Sequence, residues 1–145
     1  MRLKKLKNHY SKPVHKMLYV TDTHPFLWYL SEDKRLTKTA KSVFDEAEDG
    51  NVIIVIPTIV LAESLHILEK ERVAVKFKDI VRKIEIGWNY TTIPLDMRIV
   101  KRIEEFTKLP ELHDKIIAAS ADILKAELIT KDDEIKKSGY VKTVW

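Results

Sequence analysis

Val52-Ile-Ile-Val-Ile56 is the stretch on which the fold turns. Its five residues are all β-branched, so a strand here carries apolar side chains on both faces. A strand with one wet face alternates apolar and polar residues. One that is apolar on both sides belongs inside a parallel sheet covered by helices.

Reading outward, four more short β-rich runs appear, at Leu18–Asp22, Thr91–Pro94, Glu127–Thr130 and Val141–Val144. The segments between them have helical periodicity. Thr37–Asp49 repeats apolar residues at Ala40, Val43, Phe44 and Ala47, and Val60–Glu71 does so at Leu61, Ala62, Leu65 and Leu68. Val73–Ile86 and Asp96–Leu109 follow, the latter with Ile99, Val100, Ile103 and Phe106. Leu112–Leu124 is nearly continuous in Ile and Ala, which predicts a buried helix. Thr37, Asp96 and Asp132 read as helix N-caps. Gly50, Gly87 and Gly139 each stand where a helix should stop, as left-handed caps. Strand and helix alternate, which predicts an α/β domain with about five parallel strands between helices.

The bulk numbers agree with one such domain. At 145 residues and 45% apolar content the chain can bury a sizeable core. The longest apolar run, Val52–Pro57, is strand-sized, far short of the roughly 20 residues of a membrane span. The chain has no cysteine, which removes disulfides, thiolate metal sites and cysteine nucleophiles, and a cytoplasmic location fits. Six of the 26 cations and none of the 22 acids fall within residues 1–16. The basicity therefore belongs to a leader, read as an unstructured N-terminal extension able to touch nucleic acid phosphates. Residues 17–145 are read as the domain, with Met17 as its natural start.

Four acids are placed oddly for a surface role. Asp22 ends an apolar strand, where ligand sites of open parallel sheets gather, although it also suits the cap of a following helix. Glu63 lies on or beside the apolar stripe of its helix, between Ile59, Val60 and Ile67. Asp114 opens the Ile- and Ala-rich helix and shares a face with Ile117, Ala118 and Ala121; a first-turn acid favoured by the helix dipole is the plainer explanation. Asp132 follows the fourth strand, with Asp133 beside it as a rival for the same role. Converging in one crevice, these carboxylates would repel unless a hard divalent cation such as Mg²⁺ or Mn²⁺ cancelled their charge.

The segments Tyr19-Val-Thr-Asp22-Thr-His, Pro57…Ala-Glu63-Ser, Leu109-Pro-Glu-Leu-His-Asp114-Lys-Ile-Ile-Ala-Ala and Leu128-Ile-Thr-Lys-Asp132 resemble, in order and context, the PIN-domain nucleases, above all the VapC-type toxins. The likeness runs from Met17 to the carboxyl terminus. It implies a three-layer α/β/α fold and a metal-dependent endoribonuclease that hydrolyses RNA phosphodiester bonds. Asp22, Glu63, Asp114 and Asp132 would be the catalytic and metal-binding acids, with Thr23, Thr130 and Asp133 supporting them. It also implies a small antitoxin partner, a homodimer and the Mg²⁺ or Mn²⁺ ion itself.

Contacts to RNA are expected from Arg98, Lys101 and Arg102, which share a helix face, and from Lys115; Lys34, Arg35, Lys38 and Lys41 form a second cationic cluster. Phe26, Trp28, Tyr29 and Leu30 read as core or partner interface ahead of base-stacking, and Trp88 and Trp145 as packing residues. His24, His66 and His113 lack a second histidine at metal spacing. A haloacid-dehalogenase-type phosphatase would need an acid at His24, and a glycine-rich phosphate cradle is missing. The remaining alternative is a non-catalytic RNA- or protein-binding module on the same fold, which has no use for four such acids.

Overall fold

The computed structural model describes residues 16–145, so the basic extension lies, apart from Lys16, outside the described residues. The elements run β1 (Met17–Thr21), α1 (Thr23–Leu30), α2 (Lys38–Glu48), β2 (Val52–Pro57), α3 (Thr58–Lys70), α4 (Phe77–Ile86), β3 (Tyr90–Ile93), α5 (Met97–Ile103), α6 (Leu112–Leu124), β4 (Glu127–Ile129), α7 (Asp133–Ser138) and β5 (Thr143–Val144). The strands form one sheet in the order β3-β2-β1-β4-β5, and every neighbouring pair is parallel.

That order fixes where a site can lie. From β1 the chain steps outward through β2 to β3, then returns to the other side of β1 for β4 and β5. Right-handed crossovers put the helices of these two halves on opposite faces. The direction reverses between β1 and β4, and at such a reversal the carboxyl ends of the strands open a crevice. Thr21 pairs with Ile129 there, so the residues just beyond, Asp22 and Thr130, emerge side by side.

The core is the expected sandwich. Ile54, Val55 and Ile56 of β2 are buried with Val20, Leu128 and Ile129 of the adjoining strands. Phe44 arrives from α2 and Ile117 from α6. Each such side chain contributes roughly 1.5–3 kcal/mol by leaving water. In α6 the run Ile116–Ala121 is buried throughout, because small Ala residues let the helix lie close on β1.

Several boundaries differ from the sequence expectations, each for a local reason. α4 begins at Phe77, not Val73. Burial alternates residue by residue along Val73–Lys76, the period of extended chain. α5 stops at Ile103, short of Leu109. The ring of Pro110 disfavours helical backbone at Leu109. Phe106 and Leu109 are buried all the same, with Phe106 stacked on Tyr140 at 4.5 Å and the Lys108 amide donating to the Tyr140 hydroxyl at 3.0 Å. Gly87 is no left-handed cap, since its φ is −78°. Glycine is needed there for space, because a Cβ would collide with the Lys83 carbonyl oxygen. Trp88, expected to pack, is 90% exposed.

Candidate active site

Asp22 is the junction of the crevice. Its amide donates to the Ile129 carbonyl at 3.0 Å, extending the β1–β4 ladder by one bond. Its Oδ1 accepts from the Thr23 amide at 2.7 Å, at the start of α1. Its Oδ2 accepts from the Thr130 hydroxyl at 2.7 Å. The two readings of this residue, helix cap and crevice acid, are thus compatible, because each carboxylate oxygen serves one of them. The Thr130 hydroxyl oxygen in turn accepts from the Asp132 amide at 3.0 Å. Asp132 caps α7, with Oδ1 accepting from the Ile135 amide at 2.9 Å. Its neighbour Asp133 is exposed in the first turn of that helix.

Glu63 and Asp114 come from the helices. Glu63 is 26% exposed at its side chain, and its Oε2 lies 3.4 Å from Nδ1 of His113, the residue before Asp114. Its Oε1 is buried without a hydrogen-bond partner, as is the Thr23 hydroxyl. Burial is the first cause that raises the Glu63 carboxyl above its ordinary range, the charge of Asp22 adds to it, and His113 opposes it. Burial likewise raises Asp22, against the bonds from Thr130 and Thr23 and with the charge of Asp132. Asp114 is pushed up to about 7, first by burial and then by the charges of Asp132, Asp22, Glu111 and Glu63.

Asp22, Glu63 and Asp114 are thus each raised by burial and by the charge of at least one other acid of the set. A positive ion relieves that repulsion. The donor set is all oxygen, which suits Mg²⁺ or Mn²⁺. Two buried oxygens, Glu63 Oε1 and Thr23 Oγ1, lack a hydrogen bond of good geometry, although the Thr23 hydroxyl lies near enough to Glu63 to lower its carboxyl. The residues fit a hard cation by chemistry. Among the described residues no three His, Asp or Glu side chains already stand arranged as a coordination shell.

Beside Asp22 and Asp132 lies an open hollow of about 400 Å³, lined also by His24, Trp28, Arg35 and Lys131 but by neither Glu63 nor Asp114. Sequence reasoning put core or partner interface ahead of base-stacking for Trp28 and left Lys131 unremarked. The available signal was the spacing of His24 and Trp28, one turn apart on the helix that follows Asp22. A larger cleft of about 800 Å³ beside α4 is lined by Val73, Val75, Ile80 and Ile86 and holds none of the four acids.

The expected RNA contacts are placed differently. Arg98 is bound to Asp96 at 2.9 Å, and Arg102 to Asp122 at 2.6 Å and Glu105 at 3.3 Å. With exposed Lys101 they line a separate shallow hollow against Ile123. The structure does not bring them to the hollow of Asp22. Lys115 follows Asp114 on α6 and is partly buried.

Comparison with known proteins gives a family and a fold. The family model of the PIN domain matches residues 19–139. Curated proteins give no match by sequence. Among solved structures, VapBC2 from Rickettsia felis, bound to a DNA fragment from its promoter, is similar at 19% identity and a TM-score of 0.62, over 88% of this chain and 97% of that one. A toxin–antitoxin complex from Klebsiella pneumoniae is similar at 19% identity and a TM-score of 0.61, over 85% of this chain and 94% of that one. FitAcB from Neisseria gonorrhoeae is similar at 16% identity and a TM-score of 0.57, over 86% and 95%.

Proposed function

The chain belongs to the PIN-domain family, and from that premise we propose that it is a divalent-metal-dependent endoribonuclease, the toxin of a VapBC-type toxin–antitoxin pair. The observation that carries the reading is the joining of Asp22 and Asp132 through Thr130 at the sheet's reversal point, within the field of Glu63 and Asp114, whose own carboxyl is pushed up to about 7 first by burial and then by the charges of Asp132, Asp22, Glu111 and Glu63.

Asp22, Asp114, Glu63 and Asp132 would hold Mg²⁺ or Mn²⁺. A bound ion of this kind activates water and neutralises charge on the phosphodiester and its leaving oxygen. The protein's own part is to hold the ligands still. Thr130 fixes one oxygen of Asp22 and the backbone of Asp132 together. The Thr23 amide fixes the other oxygen of Asp22. Thr23, through its hydroxyl, helps to compensate buried Glu63. Lys131, at the rim of the same hollow, supplies positive charge toward the RNA backbone.

The relatives described as toxin–antitoxin complexes support a small antitoxin that covers the crevice. A homodimer acting in the cytoplasm, where RNA is the substrate, completes the proposal. No helix among the described residues is long and apolar enough to cross a membrane.

The test is purified wild type against Asp22→Asn and Asp114→Asn on RNA, with Mg²⁺ or Mn²⁺ and with chelator. Cleavage should need the ion and both aspartates, while the variants keep the wild-type circular dichroism. Variants that cut at the wild-type rate sink the ligand assignment, and cleavage undiminished by chelator sinks the metal.

A further inference from the structure

Resting on the nuclease reading above, we propose that Trp28 and Arg35 form a stacking ledge for one base of single-stranded RNA at the mouth of the carboxylate crevice.

Trp28 is only partly buried, and its surroundings are those of a ligand surface more than of a core. The Arg35 guanidinium carbon stands 4.8 Å above its ring centre, and Lys131 Nζ stands 5.8 Å away. The His24 ring is 5.5 Å off on one side and Trp145 is 6.0 Å off on another. An indole between two cations, in one hollow with Asp22 and Asp132, has a composition suited to nucleic acid, where bases stack on aromatic rings and on guanidinium planes.

Arg35 is fixed in place while remaining open to solvent. Its Nε and Nη2 donate to Asp33 at 3.0 and 2.8 Å, and its own amide donates to the same carboxylate at 2.9 Å. The side chain is nonetheless 63% exposed. Asp33 cancels much of its charge, so what Arg35 offers is a flat plane set against an indole. The unpaired positive charge for phosphates comes instead from Lys131.

The ledge also joins two hollows. Trp28, His24 and Arg35 line the crevice hollow with Asp22 and Asp132, and they line a second one of about 270 Å³ with Ile67, Glu71 and Arg72. A strand entering past Lys131 passes the acids, crosses the ledge and reaches Arg72. Only an unpaired base exposes its face for such stacking; in a duplex both faces are covered by neighbouring pairs. The inferred substrate is therefore a loop or other single-stranded segment.

The test uses the full chain carrying Asp114→Asn, so that RNA is bound without being cut, and a mixed-sequence RNA of about 12 nucleotides as single strand or as duplex. Fluorescence anisotropy gives Kd with Trp28, Trp28→Phe, Trp28→Leu or Arg35→Gln. The single strand should bind well ahead of the duplex. Trp28→Leu should weaken it roughly 10-fold and Arg35→Gln several-fold, while Trp28→Phe stays within about 3-fold, as loss or retention of one stacking contact predicts. Mn²⁺ affinity, measured in the same substitutions on the wild-type background, should not move. If Trp28→Leu does not fold, solvent-exposed Arg35→Gln decides. Unchanged single-strand affinity in these variants, or equal affinity for duplex, overturns the ledge while wild-type cleavage leaves the nuclease reading standing. Failure of the wild type to bind Mn²⁺ or cut RNA removes that reading and the ledge with it.

Discussion

The Thr130 hydroxyl donates to Asp22 Oδ2 at 2.7 Å, so one side chain ties the end of β4 to the acid at the end of β1. It also accepts from the Asp132 amide, so it has no spare role as a surface hydroxyl. Thr130→Val keeps the shape and removes both bonds. Outer partners of metal ligands typically contribute 10–100-fold in affinity, so Mn²⁺ binding by calorimetry should weaken about that much. Stability should fall by about 1–2 kcal/mol, and Thr130→Ser should restore most of both losses. A Val variant with wild-type Mn²⁺ affinity would mean that the bond does not position Asp22.

Asp114 gives a pH prediction with a definite sign. Its folded-state pKa, about 7, lies above the ordinary 3.8. The folded state thus holds the proton more tightly, and between these values the protein loses stability as pH rises. Without metal, the melting temperature should fall from pH 5 to pH 8. Asp114→Asn should flatten that slope and raise stability at pH 8 by on the order of 1–2 kcal/mol, discounted for partial exposure. Mg²⁺ should stabilise the wild type at pH 8 and the variant much less. A steeper slope in the variant would contradict the argument.

Much of this was legible in the residues, and the reason is burial. Val52–Ile56 is apolar on both faces, so its place inside a parallel sheet followed from side-chain alternation alone. Asp22 and Asp132 stood out because strand ends in such sheets are where acids find one another. Helix lengths were less legible. Phe106 and Leu109 carry an apolar signal whether the backbone is helical or, as here, pinned by Tyr140. Which cations line the hollow was less legible for a related reason. Arg98, Lys101 and Arg102 share a helix stripe, but a stripe does not reveal that Asp122, 20 residues away in sequence, takes one of them. Trp28 was read by its size, and large apolar residues are usually buried.

Arg102 should accordingly be a structural residue. Its Nε donates to Asp122 at 2.6 Å, pinning α5 to α6. The pair is partly exposed, 41% and 29% at the two side chains, so solvent screens it and its contribution is small. Arg102→Gln should lower the melting temperature slightly, and its KM for RNA should stay at the wild-type value. A rise in KM without a loss of stability would restore Arg102 to the RNA-binding surface.

Asp132 and Asp133 are adjacent, and the geometry separates their roles. Asp132 caps α7 through Oδ1, and its charge raises both Asp22 and Asp114. Asp133 is exposed, and it is not among the groups that shift those two carboxyls. Asn is as good a helix cap as Asp, so Asp132→Asn should leave α7 and the melting temperature nearly intact while removing one negative charge from the crevice. Mn²⁺ affinity should then fall at least 10-fold, by the magnitude usual for a lost ligand or its close partner. Asp133→Asn should change neither quantity. Calorimetry on the two single variants decides, and a loss confined to Asp133→Asn would move the fourth acid by one residue and turn Asp132 into a helix cap alone.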